Sequence, residues 1–354
     1  MRKILVCALV SVAVVLQSGC ASTAVGHAGT PQASAGGTAM ASIGTGGYAQ
    51  HPEALPLIDE LVAEGVERTS LVALLNQAQR QESILKAMSR PAEKRLNWGE
   101  YRKIFIEQKR IDQGVRFWTE NADTLARAEQ QFGVPAEVIV AIIGVETRYG
   151  RITGSYRVID ALATLGFDYP ERGAFFRGQL KEYVQLVQEE QIDPLSLTGS
   201  YAGAMGYGQF IPSSYRAYAV DFDGDHKRDI WSNPADAIGS VANYFARHGW
   251  KPGEAVTSNV VINATANPAW FNAGLEPQVT LAEWASRGIN TRTDLDPAQK
   301  ATLMQLEMAD GNEYRFGLHN FYVITRYNHS RLYGMAVHEL SQMIAAAYRG
   351  SKQG

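Results

Sequence analysis

The segment Pro135-Ala-Glu-Val-Ile-Val-Ala-Ile-Ile-Gly-Val-Glu-Thr-Arg-Tyr-Gly150 constrains the body of this chain more than any other stretch. It predicts a helix over Val134 to Tyr149. Pro135 suits the first helical position, where its missing N–H is not needed, and Gly150 suits a C-terminal cap. Glu146 follows Ile142 and Ile143 by four and three residues, so it shares their face. A carboxyl there is partly desolvated and lies near the negative end of the helix dipole. Both effects raise its pKa, as a general acid working near neutral pH requires. On position alone, Glu146 reads more readily as a helix-end glutamate reaching solvent or pairing with Arg148 or Arg151, since structural pairs also perturb pKa values.

Helical spacing also runs from about Pro56 to Phe132, in two groups separated by Pro91, and recurs over Phe175–Gln188, Pro234–His248 and Asn320–Arg349. Between Val256 and Ala309 the texture changes to short β-branched runs around Asn- and Gly-rich turns, which predicts strands. No internal repeat is visible. The expected fold class is mainly α within α+β. Apolar residues make up 45% and charged residues 19% of the 354, which excludes a disordered or collagen-like chain. The net charge of −3 gives no footing for nucleic acid. Cys7 and Cys20 are the only cysteines, which excludes a disulfide-stapled scaffold.

Both cysteines belong to the N-terminus. Arg2 and Lys3 precede an uncharged stretch from Ile4 to Leu16 that is too short to span a bilayer and suits a signal sequence. Leu16-Gln17-Ser18-Gly19-Cys20 resembles the bacterial lipoprotein box, with Gln17 as a departure from it. That resemblance implies lipidation of Cys20. With Ala21 following, it also implies anchoring at the periplasmic face of the outer membrane. The alternative is ordinary cleavage near Ala21–Ala24 and a soluble periplasmic protein. Residues 21–50 are rich in Gly, Ala, Ser and Thr and read as a flexible tether.

Gly199-Ser-Tyr-Ala-Gly-Ala-Met-Gly-Tyr-Gly-Gln209 makes a poor regular helix. It either lets backbone approach a ligand closely, with Ser200 and Gln209 offering hydrogen bonds, or it forms a tight turn under the core. Tyr327, Asn328 and Tyr333 lie close in sequence, and Tyr101 and Tyr244 come from other helices. Such rings more often serve packing than ligand contact. Arg172 suits an acidic peptide or a solvated loop. Asp221-Phe-Asp-Gly-Asp-His-Lys-Arg-Asp229 places carboxylates as in an EF-hand loop, with the Lys227 carbonyl at position 7. His226 stands where that loop has Gly and Ser232 where it has Glu. The alternative is an acidic turn bridged by Lys227 and Arg228.

The segment Gly144-Val-Glu-Thr-Arg-Tyr-Gly150 resembles the catalytic glutamate segment of lysozyme-like lytic transglycosylases. Gly199–Ser214 and Asn320-Phe-Tyr-Val-Ile-Thr-Arg-Tyr-Asn-His-Ser330 match two further signatures of the membrane-bound lytic murein transglycosylase B family, in the family's order. The resemblance implies a lysozyme-like core at 133–251 carrying the calcium loop. The implied frame is a signal at 1–19, a tether at 20–50, a helical domain at 51–132, a small β-containing insertion at 252–312, and a C-terminal helical part at 313–354.

It further implies Glu146 as the sole catalytic acid and base, with Ser200, Gln209, Tyr327, Asn328, Tyr333, Tyr101, Tyr244 and Arg172 contacting glycan. It implies a structural Ca²⁺ on Asp221, Asp223, Asp225, Lys227 and Asp236, and no cofactor for catalysis. The implied partners are peptidoglycan glycan strands and, through the lipid, a membrane, with other cell-wall enzymes as candidate protein partners. The implied reaction is non-hydrolytic cleavage of the β-1,4 MurNAc–GlcNAc bond to 1,6-anhydromuramyl products. A hydrolytic muramidase, with Asp160, Asp168 or Glu171 as second carboxylate, and an inactive wall-binding lipoprotein are the rivals.

Overall fold

The computed structural model describes residues 47–89, 96–263 and 265–352, so the signal segment, Cys20 and Pro91 lie outside the described residues. The last residues of the expected tether, 48–50, form a short helical turn. Tyr48 and Ala49 are buried, and the Tyr48 hydroxyl donates to Asp168 at 2.5 Å. The Tyr48 ring stacks on Phe167, with ring centres 5.2 Å apart, and so contributes to the core.

Three short helices follow: α1 (Ala54–Ala63), α2 (Arg68–Gln77) and α3 (Glu82–Met88). They lean on α8 (Val158–Asp168) and α9 (Gly173–Glu189), with Lys181 of α9 paired to Glu64 at 2.6 Å. The next group, α4 (Trp98–Phe105), α5 (Gln108–Glu120) and α6 (Ala122–Phe132), packs instead around α7 (Ala136–Thr147) and α14 (Arg331–Ser351). The α4 start is fixed by a reciprocal capping box between Asn97 and Glu100. The first helices of the chain therefore divide between two neighbourhoods, joined by one continuous apolar core.

Helix α7 is the axis of that core. Ile139, Val140, Ile142 and Ile143 are fully buried, each adding roughly 1.5–3 kcal/mol relative to exposure. Pro135 sits one residue outside the helix as its N-cap. The expected Gly150 cap is displaced: Arg148, at φ 51°, terminates the helix in left-handed geometry, and Tyr149 follows at φ 62°. A side chain at φ > 0 costs energy that Gly would avoid, and interactions of both residues offset it. Arg148 pairs with Glu107 at 2.5 Å, and the buried Tyr149 hydroxyl donates to the Arg110 carbonyl at 2.9 Å.

Beyond α9, α10 (Pro212–Tyr218) and α11 (Pro234–Arg247) both begin with Pro, and Asn233 caps α11 through the Ala235 N–H. A two-stranded ribbon joins β1 (Tyr156–Arg157) to β2 (Thr198–Gly199). The later strands form an antiparallel sheet in the order β4 (Val279–Thr280), β6 (Lys300–Met308), β7 (Gly311–Gly317), β3 (Thr257–Ile262), β5 (Ile289–Thr291). With α12 (Leu281–Ser286), this sheet closes over its own small core of Leu281, Trp284, Leu303 and Phe316. Strand β7 runs five residues past 312, because its pairing with β6 continues to Gly317 opposite Thr302.

The C-terminal helical stretch is two helices, α13 (His319–Tyr327) and α14, broken at Asn328–Ser330. Ser330 caps the second by accepting from the Tyr333 N–H at 3.3 Å. Asn320 is fully buried and knits the approach to the sheet, bonding Lys251 and Glu254 backbone at 2.8–2.9 Å.

Candidate active site

The last turn of α7 carries Glu146, which is half-buried. Neither Arg148, paired with Glu107, nor an ion pair to Arg151 holds it. Its partner is Tyr333 at the start of α14, whose hydroxyl donates to Oε1 at 2.6 Å. Burial pushes the carboxyl from 4.5 up to about 7, and the Tyr333 bond opposes this by favouring the charged form. The group is therefore poised to hold and release a proton near neutral pH. Tyr333 is 3% exposed, so it is a buried donor to the acid and not an open ring platform.

Two more predicted tyrosines surround the same carboxyl. Tyr101 of α4 is pushed up to about 12 by burial and then by the Glu146 charge. Tyr327 is raised well above its ordinary value, again first by burial and then by Glu146. The Tyr327 hydroxyl donates to the Gly208 carbonyl at 2.6 Å, which ties the end of α13 to the glycine-rich loop. Tyr244 stands apart from the expected role. It is 8% exposed, its hydroxyl is spent on the Arg326 carbonyl at 2.7 Å, and its ring meets that of Tyr327 edge-on at 4.7 Å. It supports Tyr327 from beneath. Asn328, in the break between α13 and α14, keeps a buried Oδ1 without a protein partner.

The glycine-rich loop answers the choice its sequence left open. A Cβ on Gly199 would lie 2.3 Å from the Ala204 carbonyl oxygen, and one on Gly206, at φ 66°, would lie 2.4 Å from the Ile230 carbonyl oxygen. These glycines pack against protein and let the loop fold on itself. Polar groups remain available on it. Ser200 Oγ accepts from Ala202 and Ala204 N–H at 3.2 and 3.1 Å, which leaves its own proton to donate outward. Gln209, at φ 52°, spends its amide N–H groups on the Thr153 and Gly206 carbonyls at 3.1 and 3.0 Å and keeps Oε1 as an acceptor.

Sequence reasoning passed over Thr147 and Arg110. Thr147 is 1% exposed and donates to the Tyr207 carbonyl at 2.9 Å, while its Oγ1 accepts from Gly150 N–H at 2.9 Å. One side chain thus fixes the glycine-rich loop to the residue after the acid. Arg110, 3% exposed, donates to the Gly144 carbonyl at 2.9 Å, which also accepts the helical N–H of Arg148 at 3.2 Å. A polar residue directly after the catalytic candidate was the available signal for Thr147; Arg110 offered none.

The remaining predicted residues make contacts of their own. Arg172 stacks on Phe175 and Phe176, at 4.6 and 5.3 Å from the ring centres. Asp160 is held by Arg157 at 2.8 Å and Asp168 by Arg80 at 2.9 Å, while Glu171 is exposed between α8 and α9. Asp221, Asp223, Asp225 and Asp236 bring carboxylate oxygens within 4.8 Å of one another. Asp236 is fully buried, and burial raises its pKa, helped by the Asp223 and Asp221 charges. His226 adopts φ 70°, the conformation glycine would supply at that place. Asp229 turns to its own turn instead, accepting from Trp231 and Ser232 N–H at 2.9 Å. An all-oxygen donor set on one loop fits a hard cation such as Ca²⁺. Lys227 sends its backbone N–H to Asp225 at 2.9 Å.

Fold and site together define an enzyme body of lysozyme-like type, with a carboxyl at the end of a buried helix raised to about 7. Comparison with known proteins makes the class specific. Residues 49–342 match the Transglycosylase SLT domain family. The chain is 46% identical over 312 residues to membrane-bound lytic murein transglycosylase B of Escherichia coli strain K12, covering 85% of each.

Among solved structures, it superposes with a TM-score of 0.82 on the catenated lytic transglycosylase SltB1 of Pseudomonas aeruginosa, at 54% identity over 84% of this chain and 98% of that one. Escherichia coli Slt35 in complex with calcium gives 0.78 at 46% identity, covering 86% and 96%. Pseudomonas aeruginosa SltB3 in complex with NAG-anhNAM-pentapeptide gives 0.74 at 31%, covering 82% and 78%. The chain belongs to the SLT transglycosylase family and is a lytic transglycosylase.

Proposed function

We propose that this chain cleaves the β-1,4 bond from N-acetylmuramic acid to N-acetylglucosamine in peptidoglycan and releases 1,6-anhydromuramyl ends. The observation that carries the reading is the Glu146 carboxyl, raised to about 7 and bonded to Tyr333 at 2.6 Å. Glu146 protonates the departing glycosidic oxygen as an oxocarbenium-like centre develops at C1. The resulting carboxylate takes the proton from the muramyl C6 hydroxyl, whose oxygen bonds C1 and closes the anhydro ring. No water is consumed. The nucleophile is already attached to the sugar, so proximity lowers the entropic barrier.

Glycosidases with two carboxylates place a second one across the scissile bond. Asp160 and Asp168, committed to Arg157 and Arg80, favour the one-carboxylate route over the hydrolytic rival. Ser200 as donor, with Gln209 Oε1 and Asn328 as acceptors, would position the hydroxyl and acetamido groups of the sugar. Tyr327 and Tyr101 would line its apolar face. The related SltB3 was solved in complex with NAG-anhNAM-pentapeptide, which supports both the substrate class and the product.

Asp221, Asp223, Asp225, Asp236 and the Lys227 carbonyl would hold a structural Ca²⁺, a reading supported by the calcium complex of Slt35. The ion would bind the loop together before α11 and take no part in the chemistry. Cys20 would carry the lipid that places the enzyme at the outer membrane's periplasmic face, in keeping with the membrane-bound relative.

Purified murein digested by the wild type and by Glu146→Gln tests the reaction. Mass spectrometry should find anhydro ends from the wild type, and the variant should be slower by about 10³-fold or more. Reducing ends would identify a hydrolase, and an undiminished Glu146→Gln rate would remove the assignment of the acid.

A further inference from the structure

The start of α5 grips the end of α7 at three points that bracket Glu146. Glu107, the residue just before α5, pairs with Arg148 at 2.5 Å. Arg110 donates through Nη1 to the Gly144 carbonyl at 2.9 Å, and its own carbonyl accepts from the Tyr149 hydroxyl at 2.9 Å. These contacts fall on either side of the acid, within three residues of it.

Arg110 also reaches a second helix. Its Nη2 donates to the Ile104 carbonyl at 3.2 Å, in the last turn of α4, and its guanidinium stands 5.1 Å from the Phe105 ring centre. Ile104 follows Tyr101 by one turn of that helix, and Tyr101 lies near enough to Glu146 to feel its charge. The rest of α4 packs on α14 and on β6. One guanidinium therefore ties the turn that carries the acid to the helix that carries Tyr101.

The charge is held there with little compensation. Arg110 is 3% exposed, and its Nε has no acceptor. The nearest acid among the described residues, Glu107, lies 4.0 Å away and pairs more closely with Arg148. Burial, and then the Arg148 charge, pushes the Arg110 pKa down. For stability alone, an apolar side chain of similar size often serves as well as a desolvated ion. What the guanidinium adds is a rigid planar fork, which holds two acceptors at a fixed spacing. Here those acceptors belong to the helices that deliver Glu146 and Tyr101.

We propose that Arg110 is a positioning residue of the reaction, setting the spacing between Glu146 on α7 and Tyr101 on α4 without touching the sugar. This rests on the reading of Glu146 as the acid and of Tyr101 as a wall of the sugar site.

The test is a double-mutant cycle in kcat and KM on a soluble stem-bearing tetrasaccharide of peptidoglycan, at a temperature where circular dichroism shows each variant folded. Arg110→Lys keeps the charge and loses the fork. It should lower kcat about tenfold or more and change KM by less than about threefold, because misplacement acts on the chemical step. Arg110→Met, which removes charge and fork together, should lose at least as much. In a Tyr101→Ala background either substitution should cost less than about threefold in kcat, since the group being positioned is gone. A folded Arg110→Lys or Arg110→Met chain with the wild-type kcat would overturn the proposal. So would losses that are equal with and without Tyr101, which would leave Arg110 a packing residue. The reading beneath it fails separately: a fully active Glu146→Gln chain removes the acid, whereas additive losses beside an inactive Glu146→Gln chain remove only the role of Arg110.

Discussion

Glu146 is the residue on which two opposing effects meet. Burial disfavours its charge and the Tyr333 hydroxyl favours it, with burial the larger, so the carboxyl moves from 4.5 to about 7. The same shift has a consequence for stability. Between these two values the folded chain holds a proton that the unfolded chain has lost. Stability therefore falls as pH rises through that window, by a total on the order of 3 kcal/mol. Glutamine has no proton to lose and still accepts from Tyr333. Glu146→Gln should melt with the wild type near pH 4 and above it at pH 8, as followed by circular dichroism. Equal melting temperatures at both pH values would show an ordinary carboxyl.

At the scale of elements, the site is held by the exit loop of α7 meeting the glycine-rich loop. Gly154, at φ 100°, lies against Gly199, and a Cβ there would stand 2.0 Å from the Gly199 carbonyl oxygen. Gly154→Ala should cost roughly 3 kcal/mol or more in denaturant unfolding, through backbone strain and the clash together. Gly178, on the exposed face of α9 with open space around it, provides the opposite case. Gly178→Ala should stabilise by about 0.5–1 kcal/mol.

The aspartate loop is a third element with its own test. Calcium at about a hundred times its dissociation constant should stabilise the chain by ~2.7 kcal/mol. Asp236→Asn should remove most of that gain, and a melting curve indifferent to calcium and chelator would refute the site.

Across the whole molecule, the sequence was most legible where one local pattern dominates. The apolar run of α7 and the placement of Glu146 at its end follow from spacing alone, as do α9 and α11 to within a few residues. The break between α13 and α14 was hidden because apolar spacing continues across it, although Ser330 is a recognisable cap. Tyr333 was read as a sugar contact, since a hydrogen bond spanning 187 residues of sequence leaves no local trace. The glycines of the second motif could serve sugar or packing until the positions of the Ala204 and Ile230 carbonyls decided it. Those failures share a cause: each depended on what a distant segment brings to the site, and periodicity reports only what a segment does for itself.

The account depends most on the protonation of one carboxyl, and that can be observed directly. A ¹³C NMR titration of Glu146, with the resonance assigned through Glu146→Gln, should give a midpoint near 7, moving higher in Tyr333→Phe as the opposing hydrogen bond is lost. A midpoint near 4.5, unchanged by Tyr333→Phe, would contradict it.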